Sequence, residues 1–177
     1  MRHATLLMTI AALLSCATNT SAVTLGQIPP VLSLVAHEAD ALAAVWADKP
    51  GPECVVFEVA ASTLYVASTA MLDSLDATTD VTLPAVQTDV TACVGWHAHG
   101  RITPELVDMI PAALTGLMGA AEVSLTNMEA HDQCVARAWL DAAQHAATLH
   151  REILDELEQP DGQLSVPQTT VRLSECH

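Results

Sequence analysis

Four cysteines, at positions 54, 93, 134 and 176, follow an apolar leader. That combination constrains the fold more than any other feature of the chain. The leader opens with the cationic Met1-Arg2-His3 and continues as an apolar run from Ala4 to Ser15. Such a run has the length of a signal h-region and is too short to span a bilayer. Two processing sites compete. Thr20-Ser21-Ala22 suits ordinary signal peptidase and would leave Val23 at the N-terminus, whereas Leu13-Leu14-Ser15-Cys16 has the form of a bacterial lipobox with Cys16 as the lipidated residue. Either route leads to an oxidising compartment, the bacterial periplasm or envelope. There, Cys54, Cys93, Cys134 and Cys176 are expected to form two disulfides, with three connectivities open. No Cys-x-x-Cys occurs, which argues against a thioredoxin-type or zinc-ribbon site.

The remaining chain has the size and composition of one domain. With 177 residues, 51% of them apolar, it can bury one hydrophobic core but not two. Aromatic residues make up only 3%, too few for a base-stacking surface. The 21 Asp and Glu against 6 Lys and Arg give a net charge of −15, which repels phosphate and excludes a nucleic-acid partner. No basic stripe offers itself to anionic lipid, so membrane contact is expected only through a lipid on Cys16. The expected organisation is a signal peptide over 1–22, a linker over 23–30 ending in Pro29-Pro30, a domain over 31–158 and a tail over 159–177.

Within the domain, helical spacing begins at Val31 and ends at Lys49-Pro50-Gly51-Pro52. Glu53 to Val59 is rich in β-formers and predicts a buried strand; Ser62 to Ser68 predicts a second. Weaker strands are expected over Val81–Val86 and Val90–Trp96. Thr103-Pro104-Glu105 reads as a helix start, with Thr as cap, Pro at the first position and an acid in the first turn. Pro111 should kink or restart that helix, Gly116 and Gly119 should close it, and a short strand is expected at Val123–Thr126. A long helix then runs from Asn127 or Glu129 to about Glu158, with Val135, Ala138, Trp139, Ala142 and Ala146 in its apolar stripe. This alternation is that of an α/β layer domain.

The candidate chemistry centres on His97-x-His99. At a strand end, residues two apart point to the same side, so both imidazoles can reach one metal ion. Asp108, early in the helix that Pro104 begins, can supply a third ligand. Two His and one Asp leave the fourth position of zinc open to water, as in a catalytic site. A separate carboxylate must then take the proton from that water, and Glu53 is the candidate. Glu58 is the runner-up, with opposite strand parity. His37, His131, His145 and His150 read as solvated helix residues, and Trp46, Trp96 and Trp139 as core.

The order Glu53, Val94-Gly95-Trp96, His97-x-His99 and Pro104-x-x-x-Asp108 resembles the JAMM (JAB, MPN+) metallopeptidases. Pro52-Glu53-Cys54-Val55-Val56 is similar to that family's catalytic-Glu strand, which also follows an N-terminal helix. The resemblance covers about Val31 to Thr126. It implies a cytidine-deaminase-like layered sheet with flanking helices, Zn²⁺ held by His97, His99 and Asp108, and Glu53 as general acid/base. The implied activity is hydrolysis of a peptide, isopeptide or other amide bond in a peptide or protein substrate. Glu105 stands where the family has the Ser that helps hold the oxyanion. An ionised carboxylate there repels the developing negative charge. A second reading therefore stands beside the first: a non-catalytic acidic envelope protein or lipoprotein with a degenerate metal site, acting by partner binding.

Overall fold

Helix α1 (Ile28–Trp46) forms because an apolar stripe recurs at helical spacing and because Pro29 and Pro30 sit in its first turn, where no intrahelical N–H is needed. It buries Ile28, Leu32, Val35, Ala36, Ala39 and Ala43. The computed structural model describes residues 23–95, 104–154 and 162–176. A 3₁₀ turn at Leu25–Gln27 precedes α1; the Thr24 N–H donates to Gln27 Oε1 at 2.9 Å, and the Leu25 N–H donates to Asp132 Oδ2 at 3.1 Å. The stretch expected to be a linker therefore carries the buried first turn of α1 and a tie to a distant helix.

The two strands expected over 53–59 and 62–68 are instead one helix, α2 (Glu53–Asp73). The physical reason lies between them. Ala60-Ala61 is a helix-favouring pair, and no Gly, Pro, Asn or Asp breaks the run from Glu53 to Leu72. A continuous apolar run does not by itself separate a buried strand from a buried helix; its length of 21 residues decides for the helix. Two hydroxyls inside it are satisfied one turn back, Thr63 Oγ1 on the Val59 carbonyl at 2.8 Å and Thr69 Oγ1 on the Tyr65 carbonyl at 3.0 Å. Both α1 and α2 are long and apolar enough to cross a membrane by length and composition. Here they pack against each other, and Ser68 Oγ donates to the Pro29 carbonyl at 2.7 Å across that buried seam.

Helix α3 (Pro104–Leu125) runs through Pro111, Gly116 and Gly119 without ending. It includes Val123–Leu125, where a strand was expected. Ile110, Met118 and Leu125 are buried seven or eight residues apart, so one face is anchored along its length. Packing of that face outweighs the roughly 3 kcal/mol cost of an interior proline. Helix α4 (Ala130–Leu154) turns Val135, Trp139, Ala142 and Ala146 inward, as the periodicity predicts, and Gln144 Nε2 donates to Thr115 Oγ1 on α3 at 2.9 Å.

The sheet is small and antiparallel. Strand β1 (Val81–Leu83) pairs with β4 (Thr169–Val171), and β2 (Val86–Asp89) with β3 (Gln163–Val166). The two pairings share one register. Val81 faces Val171, Leu83 faces Thr169, Val86 faces Val166 and Asp89 faces Gln163. The same register continues to Val90, whose N–H donates to the Gly162 carbonyl at 2.9 Å. The two sheets are thus one ribbon with an interruption, in which Pro84 falls opposite Gln168 and Ala85 opposite Pro167. Proline has no N–H to give to a ladder, so a proline on each strand opens the ribbon there. The break also resets the alternation: Leu83 is buried before it, and Val86, Thr88 and Val90 after it.

The fold is therefore a mixture of helices with a small antiparallel ribbon, and the layered sheet implied by the resemblance is not present among the described residues. The expected strand at 81–86 survives in β1 and the start of β2. That expected at 90–96 does not, since Thr91-Ala92 is a turn that ends in Cys93. The expected tail supplies β3, β4 and a 3₁₀ turn at Leu173–Cys176. Trp139, Ile28, Leu64, Met71, Leu83, Ile110, Leu164 and Leu173 join in one core that draws on every helix and on the ribbon.

Candidate functional site

All four cysteines outside the leader are paired: Cys54 with Cys93, and Cys134 with Cys176. Cys54, in the first turn of α2, and Cys93 are both fully buried. The segment after Cys93 is fastened to the α1–α2 connection. Val94 N–H donates to the Ala47 carbonyl at 2.8 Å, and Gly95 lies so close to the Gly51 carbonyl that any side chain at 95 would collide with it.

Glu53 is the first residue of α2 rather than the opening of a strand. A carboxylate there interacts favourably with the positive end of the helix dipole. Its side chain folds back over Gly51, where an added Cβ would collide with Oε2. That oxygen is sealed from solvent and has no hydrogen-bond partner. Glu58 lies five residues on; burial first, and then the charges of Asp40 and Asp89, raise its pKa above the ordinary 4.5.

His97 and His99 lie outside the described residues, as do Trp96 and Cys16. Asp108 and Glu105 stand in the first turns of α3, with only their backbone described. Among the described residues no three His, Cys, Asp or Glu side chains converge on a point where a metal ion could bind. The described donors thus do not by themselves make a zinc site. Trp139 is core, as expected; Trp46 is partly buried, with the Lys49 ammonium 3.9 Å from its ring centroid.

Sequence reasoning missed a groove of about 600 Å³ between α4 and the C-terminal segment. Its floor is one face of α4: Ala130, Gln133, Cys134, Arg137, Ala138, Asp141, Ala142 and His145, at spacings of three, four and seven. Its wall is Thr170, Arg172, Glu175 and Cys176, held to the floor by the Cys134–Cys176 disulfide. The small side chains of Ala138 and Ala142 leave the hollow between them. His131 Nδ1 lies 3.0 Å from the Cys176 carbonyl, and Ser174 N–H donates to Asp80 Oδ1 at 2.9 Å, so the wall is pinned at three points. The Ser174 amide is the main reason the Asp80 carboxyl titrates below its ordinary 3.8. Arg172 and Glu175 make an exposed ion pair at 3.4 Å. Arg137 and Asp141 have no hydrogen-bond or ion-pair partner among the described residues. The available signal was the second face of the long helix, whose polar residues alternate with alanines at helical spacing.

No protein-family model matches this chain, and neither a curated protein nor a solved structure is measurably similar to it.

Proposed function

We propose that the chain is an exported, non-catalytic domain of the bacterial envelope that acts by binding a partner. A lipid on Cys16 is its one expected membrane attachment. The observation that carries this reading is the setting of Glu53. The residue a hydrolase would need as its acid/base starts a helix, with its carboxylate folded over the Gly51 loop and one oxygen sealed from solvent. A proton acceptor for a metal-bound water has to face an open cleft. Among the described residues, an open groove lies beside Cys134–Cys176 and is not lined by Glu53. Two disulfides support export, because such bridges persist in oxidising compartments. The test is to incubate the oxidised protein, supplemented with zinc, with a peptide mixture and to look for new N-termini by mass spectrometry. None is expected. New termini that disappear in Glu53→Gln would overturn the reading.

A second reading is favoured by one specific contact. The Cys54–Cys93 bridge and the seat of Gly95 on Gly51 start the chain toward His97-x-His99 from beside Glu53. It supports a zinc-dependent hydrolase of a peptide, isopeptide or other amide bond, of the JAMM type. His97, His99 and Asp108 would be its ligands, and Glu105 its substituted oxyanion residue. About one zinc per chain by elemental analysis, lost in His97→Ala, would establish this reading; zinc well below that and equal in both proteins would remove it.

A further inference from the structure

We infer that the groove between α4 and the C-terminal turn is a binding site for short peptides with free termini, with Arg137 taking the carboxylate and Asp141 the ammonium. The inference rests on the binding reading above and names its site and ligand class.

Arg137 and Asp141 are one helical turn apart on the groove floor, both exposed and both without a partner among the described residues. An i,i+4 pair with the base N-terminal to the acid is the weaker orientation on a helix, which leaves both heads available to a ligand. The opposite wall carries Arg172 and Glu175, which already neutralise each other. The Arg, Asp and Glu side chains of the groove therefore sum to zero within a chain of net charge −15. A plain anion would be repelled at long range by that field, and a cation would find acidic groups over most of the surface. A ligand with no net charge and two separated ends escapes the repulsion and matches the two unpaired heads. Guanidinium and carboxylate each make strong charge-assisted hydrogen bonds to such ends. Ala138 and Ala142, next to Arg137 and Asp141 on α4, leave room for small apolar side chains beside the two heads. The volume of about 600 Å³ is in the range of small-ligand pockets and has room for a peptide of a few residues.

The experiment uses the full exported chain with both disulfides intact, followed by ¹H–¹⁵N NMR during titration with trialanine, N-acetyl-trialanine and trialanine amide. Trialanine is expected to bind with a Kd of about 1 mM or tighter, shifting amides of 133–145 and 170–176. Blocking either terminus should weaken binding about tenfold, as should Arg137→Gln or Asp141→Asn. Both side chains are exposed, so the melting temperatures of the variants should stay close to that of the parent. Absence of any shift with trialanine overturns the inference. So does equal binding of the blocked peptides, or undiminished binding by both variants. Failure here without new peptide termini in the zinc-supplemented assay removes this ligand and leaves the binding reading. Glu53-dependent termini remove the binding reading itself.

Discussion

The two disulfides close loops of nearly equal length, 39 residues for Cys54–Cys93 and 42 for Cys134–Cys176. Chain entropy alone therefore assigns them the same stabilisation, about 4 kcal/mol each. Their surroundings differ. Cys54 and Cys93 are 1% and 0% exposed, inside the packing of α1 and α2. Cys134 and Cys176 are half-buried and form part of the lining of an open groove. The first bridge is a piece of core. The second is a clamp that holds a wall of the groove against its floor. Equal covalent constraints thus serve different ends, and burial, not loop length, tells them apart.

The largest effect should come from breaking the core bridge. Cys54→Ala with Cys93→Ala is expected to cost about 4 kcal/mol of loop entropy plus the loss of packed sulfur, read as a large fall in melting temperature. Cys134→Ala with Cys176→Ala should cost less than the first pair, because half-exposed sulfurs leave no comparable void and Asp80 still holds the Ser174 amide. If the second pair proves the more damaging, the distinction between core and clamp fails. A smaller effect is expected from Ser68→Ala, which removes the hydrogen bond to Pro29 across the α1–α2 seam and should cost about 1 kcal/mol by chemical denaturation.

Two pH effects sharpen the same contrast. Glu58 has its pKa raised by burial and by Asp40 and Asp89. For an acid with a raised folded-state pKa, the favourable contribution is complete below the ordinary 4.5 and is lost as pH rises through the raised value. At neutral pH its charge is a cost to the N-terminal half, so Glu58→Gln should raise the melting temperature at pH 7 and give no gain below pH 4.5. Asp80 behaves oppositely. Its pKa is lowered, first of all by the Ser174 amide, so its contribution holds above 3.8 and disappears as pH falls below it. Acidification through that range should release the Leu173–Cys176 turn in NMR spectra before it disturbs α2. The effect should be small, because Asp80 is solvent-exposed.

The helices α1 and α4 were legible because their apolar residues recur at helical spacing and their ends carry Pro, Gly or Lys. The β-formers of α2 misled for a definite reason. Val55, Val56 and Val59 suit a strand locally, but they are buried together with Ala60, Leu64 and Ala67 on the wide face of a helix wrapped by neighbours. At Pro111 the helix does not restart, since tertiary packing at Ile110 and Met118 carries α3 through it. The ribbon joins residues some eighty positions apart, and no local pattern announces such a pairing. Of the candidate site, the cysteine framework was legible from count and leader, though not its connectivity. Glu53 was read on the wrong element, and with the strand went the geometry that paired it with a metal-bound water. The groove was invisible because its wall comes from a segment that reads as a tail.

The most direct test of the contrast between core bridge and clamp is hydrogen exchange on the oxidised protein, followed residue by residue while a mild reductant is raised in steps. Cys134–Cys176 should open first, releasing the amides of 163–176 and the groove face of α4 while Val55–Met71 of α2 stays protected. Simultaneous loss of protection in both halves, or loss in α2 before the C-terminal turn, would contradict the account.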